Sequence, residues 1–167
     1  MKIVRATSSE HITEARRLFR VYAEFLKVDL CFQDFENELA QLPGAYSPPG
    51  GVLLLAVEET TTLGCVALRQ VGEGVCEMKR LYVRPQGRGR GIGRALAVEV
   101  ISEANRLGYT TMRLDTLDWL VEAIHLYESL GFKRIPAYYK NPLSGVVYWE
   151  LNLKEWKKAN SRPKRAR

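Results

Sequence analysis

Four glycines stand at alternate positions, Gly87, Gly89, Gly91 and Gly93, between a run that reads as a strand and a stripe that reads as a helix. No other feature of the chain constrains its fold as much. A strand must feed a helix through a loop nearly free of side chains, so backbone amides can close on a bound group with no Cβ in the way. The unpaired N–H groups and positive dipole end of the helix favour an anion there. Arg88, Arg90 and Arg94 add formal charge. A phosphate-bearing ligand is the natural reading, and spacing excludes two standard nucleotide loops. No Lys-Ser or Lys-Thr follows, as G-x-x-x-x-G-K-[ST] requires. In G-x-G-x-x-G the last position falls on Ile92 counted from Gly87, or on Arg94 counted from Gly89.

The remaining pattern supplies the layers around this junction. Residues 3–6 read as a first strand. Ser8 or Ser9 caps a helix in which Ile12, Ala15, Leu18, Phe19, Tyr22 and Phe25 or Leu26 recur at helical spacing. A second short helix is expected around 35–42, then a Pro/Gly loop over 43–51. Residues 52–57 and 63–70 form an expected antiparallel hairpin, and 75–83 a third strand. After the glycine loop a helix spans about 91–107, with Gly108 at its C-terminal cap. A strand follows over 112–116. Asp118 is the expected N-cap of a helix that carries Leu120, Ala123, Ile124, Tyr127 and Leu130 and closes at Gly131. Strands over 132–135 and 146–153 end the pattern. The order β-α-α-β-β-β-α-β-α-β-β predicts one domain of the α/β (α+β) class, a mixed sheet with helices on it.

Charge is concentrated at one end. Residues 154–167 hold seven basic residues and one acid, Glu155, and so account for the whole net charge of +6. The preceding 153 residues sum to zero, which argues against a nucleic-acid-binding core. Residues 154–167 are therefore expected to be a solvated basic tail, dispensable for the chemistry. Cys31, Cys65 and Cys76 show no C-x-x-C spacing and read as buried thiols in a reducing compartment. His11 and His125 are too few and too far apart for a metal site. No apolar run approaches the ~20 residues of a membrane span, and the N-terminus has no signal-peptide core. A cytoplasmic protein, with no metal and no membrane partner, is expected.

Two motifs together resemble one family. Arg88-Gly89-Arg90-Gly91-Ile92-Gly93 fits [RQ]-x-x-G-x-[GA], preceded by Val83-x-Pro85 and followed by Leu96. Further on, Ala123-Ile124-His125-Leu126-Tyr127-Glu128-Ser129-Leu130-Gly131-Phe132 looks like A-x-x-L-Y-E-x-x-G-F. Both, in this order, resemble the GNAT superfamily of acyl-CoA-dependent N-acyltransferases over about residues 3–153. The resemblance implies a mostly antiparallel central sheet flanked by helices and split between the fourth and fifth strands. It also implies a domain over 1–153, with acetyl-CoA as cosubstrate.

Residue by residue, the resemblance implies a slot between 77–83 and 112–116. Backbone groups of Leu81 and Val83 would pair with the pantetheine arm. The amides of Arg88, Gly89, Arg90, Gly91, Ile92, Gly93 and Arg94 would hold the pyrophosphate. Tyr127 matches the tyrosine that protonates the departing thiolate, and its alternative is a packed helix residue. Glu77 stands where some members carry a general base. Its alternatives are a strand carboxylate paired with Lys79 or Arg113, Asp115 as the base, or water. Leu120 replaces an asparagine that many members use on the cofactor arm. For the acceptor, Tyr22, Asp115, Tyr138 and Tyr139 are the candidates. The expected activity is acetyl transfer to a primary amine of a small molecule, protein or peptide, by direct attack in a ternary complex. The enzyme would be a monomer or homodimer. The alternative is a non-catalytic CoA-binding or nucleic-acid-binding module built on the Gly/Arg loop and the tail.

Overall fold

The computed structural model describes residues 1–161. Ser8 caps the first helix as expected, its side chain accepting from the His11 amide at 3.2 Å. That helix, α1 (Ser9–Leu26), follows strand β1 (Lys2–Arg5) and buries Ala15, Leu18, Phe19 and Leu26. A short helix α2 (Phe35–Gln41) precedes the hairpin β2 (Val52–Glu58) and β3 (Thr61–Gly72), whose turn is only Glu59-Thr60. Gly51 admits this entry because a Cβ there would lie 2.4 Å from the Ala45 carbonyl oxygen. Strand β4 (Val75–Val83) runs through the glycine loop into α3 (Ile92–Arg106). Strand β5 (Thr111–Leu117), helix α4 (Val121–Leu130) and strands β6 (Lys133–Ile135) and β7 (Val146–Asn152) complete the expected order.

Gly108 and Gly131 close α3 and α4 at φ +87° and +96°, the left-handed backbone that glycine adopts without steric cost. Asp118 does not cap α4. The helix starts after Leu120 with no side-chain cap, and the Asp118 amide instead donates to the Gly145 carbonyl at 2.8 Å. Asp118 therefore lies two residues before the cap position, held against the loop before β7 by a tertiary contact no local pattern records.

The seven strands lie in the order β1-β2-β3-β4-β5-β7-β6. Every pairing is antiparallel except β4 with β5. Each sheet face carries its own apolar layer. Val52, Leu54, Leu96, Val100, Ile101 and Leu114 belong to the layer under α3 and α4. Leu18, Phe19, Leu39, Leu53 and Leu55 belong to the layer under α1 and α2. Among the described residues no helix is long and apolar enough to cross a membrane. Cys65 and Cys76 are buried as expected, and burial pushes both thiols up to about 12. Cys31 is exposed, on a short turn that the helical spacing did not cover.

Residues 154–161 differ from a solvated extension. Asn152 caps a further helix, α5 (Leu153–Asn160), accepting from the amides of Lys154 and Glu155 at 3.1 Å. Leu153 is fully buried and Trp156 packs against the layer under α3. Charge dominated the reading of this stretch and hid its single large apolar residue. Residues 162–167, the rest of the expected tail, lie outside the described residues. Trp156→Ala is expected to lower the unfolding free energy by roughly 1–2 kcal/mol, since it uncovers part of an apolar layer. A urea midpoint unchanged from wild type would show that α5 contributes nothing to stability.

Candidate active site

The site begins where the only parallel pair in the sheet fails. β4 and β5 pair at Val75–Glu77 with Thr111–Arg113 and then diverge, leaving the β5-facing edge of residues 78–83 without a strand. A bulge lies just beyond the split. Cys65 pairs with Tyr82 and Ala67 with Lys79, so Arg80 and Leu81 together oppose a single residue of β3. Arg80 takes φ +58°, a left-handed conformation that costs a non-glycine residue roughly 1–2 kcal/mol. Its side chain holds it there. The guanidinium donates to Glu38 at 3.0 and 3.3 Å and to Gln33 Oε1 at 3.0 Å, and lies 5.2 Å over the Phe35 ring.

At the outer end of the slot lies the glycine loop. Gly89 and Gly91 have φ +73° and +75°, and a Cβ at either would meet nothing within 4 Å. The Arg88 amide is occupied by the Pro85 carbonyl at 3.2 Å, and the next amide with a backbone acceptor is that of Ala95. Among the described residues, then, the amides of Gly89, Arg90, Gly91, Ile92, Gly93 and Arg94 face no backbone acceptor. Of the seven amides the resemblance assigns to the pyrophosphate, that of Arg88 is thus engaged within the protein. The arginine side chains are engaged elsewhere: Arg90 with Glu58 at 2.6 Å, Arg94 with Ser129 Oγ at 2.8 Å, and Arg88 with the Val83 carbonyl at 3.2 Å. Arg88 also lies 5.0 Å over the Phe25 ring. The loop therefore offers amides and the helix dipole more than guanidinium groups.

From the loop a groove runs inward past Val83 and Leu81 to Tyr127. A second cavity lies beyond it under α1. The two share Tyr22, Leu81, Thr116, Leu120 and Tyr127, so they meet at the bulge and at the Tyr127 ring. Tyr127 is buried, with its ring 5.7 Å from Phe132. Burial, with Tyr22 and Asp115 nearby, pushes its phenol well above the ordinary value, so the hydroxyl stays protonated. Leu120 presents an apolar wall to both spaces.

The structure separates the expected acceptor residues into two groups. Tyr22 and Asp115 line the second cavity. Burial pushes the Tyr22 phenol up to about 12. Tyr138 and Tyr139 line neither cavity and instead hold carboxylates. Tyr138 donates to Glu77 Oε2 at 2.6 Å, and Tyr139 donates to Asp115 while accepting from Asn141 at 2.8 Å. Burial, with those carboxylates beside them, raises both phenols well above the usual range. Glu77 is 2 % exposed and also lines neither cavity. Arg69 donates to its Oε1 at 2.8 and 3.0 Å, and Lys79 stands 3.8 Å away. The paired strand carboxylate of the sequence reading is thus present, with Arg69 as chief partner, while Arg113 pairs with Glu150 at 2.8 Å.

Gln33, Lys79 and Arg80 also line this cavity and were not among the expected site residues. Strand alternation gives no warning that a bulge turns Lys79 and Arg80 to one side, where both donate to Gln33 Oε1. Lys79 is 8 % exposed and donates to Gln33 Oε1 at 3.1 Å. Burial, with the Arg80 guanidinium next to it, brings the Lys79 ammonium down to about 8.

Comparison with known proteins agrees with this architecture. The profile of the acetyltransferase (GNAT) family matches residues 12–132. A Schizosaccharomyces pombe protein described as an uncharacterized N-acetyltransferase is 44% identical over 146 residues, covering 86% of this chain and 90% of that protein. The N-acetylaspartate synthetase of Homo sapiens is 32% identical over 125 residues, covering 74% of this chain and 39% of that protein. Among solved structures, a Salmonella typhimurium acetyltransferase described with its cofactor acetyl-CoA has a TM-score of 0.65. The match covers 99% of each chain at 22% identity and shows a shared fold.

Proposed function

Because the chain belongs to the GNAT acetyltransferase family, we propose that it moves an acetyl group from acetyl-CoA to a primary amine by direct attack in a ternary complex. What supports this most is one continuous path. It runs from six amides without backbone acceptors, along an unpaired strand edge, to a protonated tyrosine where two cavities meet. The pyrophosphate takes the amides of residues 89–94 at the head of α3. The pantetheine arm lies along the edge of Leu81 and Val83 as an added strand. Acetyl-CoA is also the cofactor named for the Salmonella typhimurium protein of the same fold.

The chemistry follows from the meeting point. The acceptor enters through the second cavity as an ammonium ion and gives a proton to Asp115, whose carboxylate lines that cavity. The neutral nitrogen attacks the thioester carbonyl carbon. Negative charge grows on the carbonyl oxygen and is met by the Leu81 amide at the bulge. The C–S bond breaks as the amide bond forms. The Tyr127 hydroxyl gives its proton to the departing sulfur, and the nitrogen loses its second proton to water. Glu77 is not placed for the first step, since Arg69 and Tyr138 occupy its oxygens. A nucleic-acid mode is not favoured, because Arg88, Arg90 and Arg94 are tied to groups of the protein itself.

A panel of primary amines incubated with acetyl-CoA tests the proposal, with free CoA read by thiol reagent and acetylated product by mass spectrometry. At least one amine should give both. Asp115→Asn should lower the rate with that amine ~10–100-fold at neutral pH and less at high pH, where the amine arrives already neutral. Acetyl-CoA that binds but is consumed with no amine would overturn the reading.

A further inference from the structure

Where β4 and β5 still pair, Glu77 stands opposite Arg113. Carrying that parallel register two residues further places Lys79 opposite Asp115, on the same sheet face because strand side chains alternate. By then the strands have separated. Lys79 and Asp115 both line the second cavity, yet no ion pair joins them among the described residues. They are opposite charges facing each other across a widening gap.

Each is only partly satisfied. The Lys79 ammonium has three donors and gives one to Gln33. Its nearest carboxylate, Glu77 at 3.8 Å, is already held by Arg69 and Tyr138. Asp115 accepts from Tyr139 at Oδ2, and Oδ1 has no protein donor among the described residues. Arg80 does not add a second anion site, since Glu38 and Gln33 occupy its guanidinium. Asp115 also sits on the Tyr127 side, where its charge acts on the phenol.

Resting on the acetyl-transfer reading, we propose that the acceptor is a free amino acid, bound as a zwitterion with its ammonium group on Asp115 and its carboxylate on Lys79. The amine then stands beside the thioester and the carboxylate marks the far side of the cavity. A polyamine would place positive charge against Lys79 and Arg80, and an apolar amine would leave Lys79 buried and uncompensated.

The test uses CoA release with single L-amino acids, then compares the best of them with its own carboxamide and with spermidine. The free acid should exceed the carboxamide at least tenfold in kcat/KM. Lys79→Met should lower kcat/KM for the acid at least tenfold and for the carboxamide less than threefold. Its melting temperature should not fall, because Gln33 keeps Arg80 and Glu77 keeps Arg69 and Tyr138. If that variant does not fold, the acid-to-carboxamide comparison in the wild-type protein decides alone. Equal use of acid and carboxamide, or spermidine or peptide N-termini outrunning every amino acid, would overturn the proposal while leaving acetyl transfer intact. No CoA release with any amine would instead remove the transfer reading on which it rests.

Discussion

Tyr127→Phe is expected to reduce turnover about a hundredfold while acetyl-CoA affinity and melting temperature stay close to wild type. The ring remains and keeps its contact with Phe132, so the layer under α3 and α4 loses no volume. Only the hydroxyl at the junction of the two cavities is removed. General acid help is typically ~10²–10⁴-fold. The lower end applies because the departing CoA thiolate, with a thiol pKa of about 8.5, leaves tolerably well unassisted. The effect should fall on kcat and leave the KM of the amine in place, as for an interaction made only in the transition state. Burial keeps the phenol protonated, so the wild-type rate should show no loss on the alkaline side that traces to this residue. A Tyr127→Phe protein with normal turnover, when chemistry limits the rate, would return Tyr127 to packing alone.

Gly91→Val is expected to weaken acetyl-CoA binding by well over tenfold, a cost above ~1.4 kcal/mol. Two effects combine. Gly91 has φ +75°, where a β-branched residue is strained by roughly 1–2 kcal/mol. In addition, the space a Cβ would enter is empty of protein atoms within 4 Å. The Cβ of the valine therefore enters open space beside the six amides that face no backbone acceptor. The protein should still fold, somewhat less stably, and calorimetry should read the loss in affinity. A folded Gly91→Val protein with unchanged affinity would move the pyrophosphate away from this loop.

The element order, the strand-to-helix junction and the site of Tyr127 were all readable from local pattern. Apolar spacing of 2 and 3.6, glycines at helix ends and two short motifs depend only on neighbours in sequence, and these elements formed where those signals lay. Places where the sequence misled are places where distant residues compete for the same group. Asp118 looked like a helix cap, and the helix starts only after Leu120, with Asp118 held to the loop at Gly145. Lys154 onward looked like a solvated tail, and Trp156 found the apolar layer on the α3 side of the sheet. Glu77 looked like a base until Arg69, from the neighbouring strand, and Tyr138, from a distant loop, closed on it. Tyr138 and Tyr139 looked unlike ordinary core residues, and they hold the carboxylates of Glu77 and Asp115.

By itself the sequence determined the layered fold and the glycine loop between strand and helix, because both follow from backbone geometry that short segments specify. Tertiary structure alone decided what lines the second cavity. Strand alternation would put Lys79 and Arg80 on opposite faces, and a one-residue bulge against β3 turns them to the same one. Lys79 and Asp115 lie 36 positions apart in sequence and face each other only because a parallel register ends two residues earlier. Which charges oppose one another across a gap depends on where pairing stops, and pairing is a property of two strands that neither strand's sequence records.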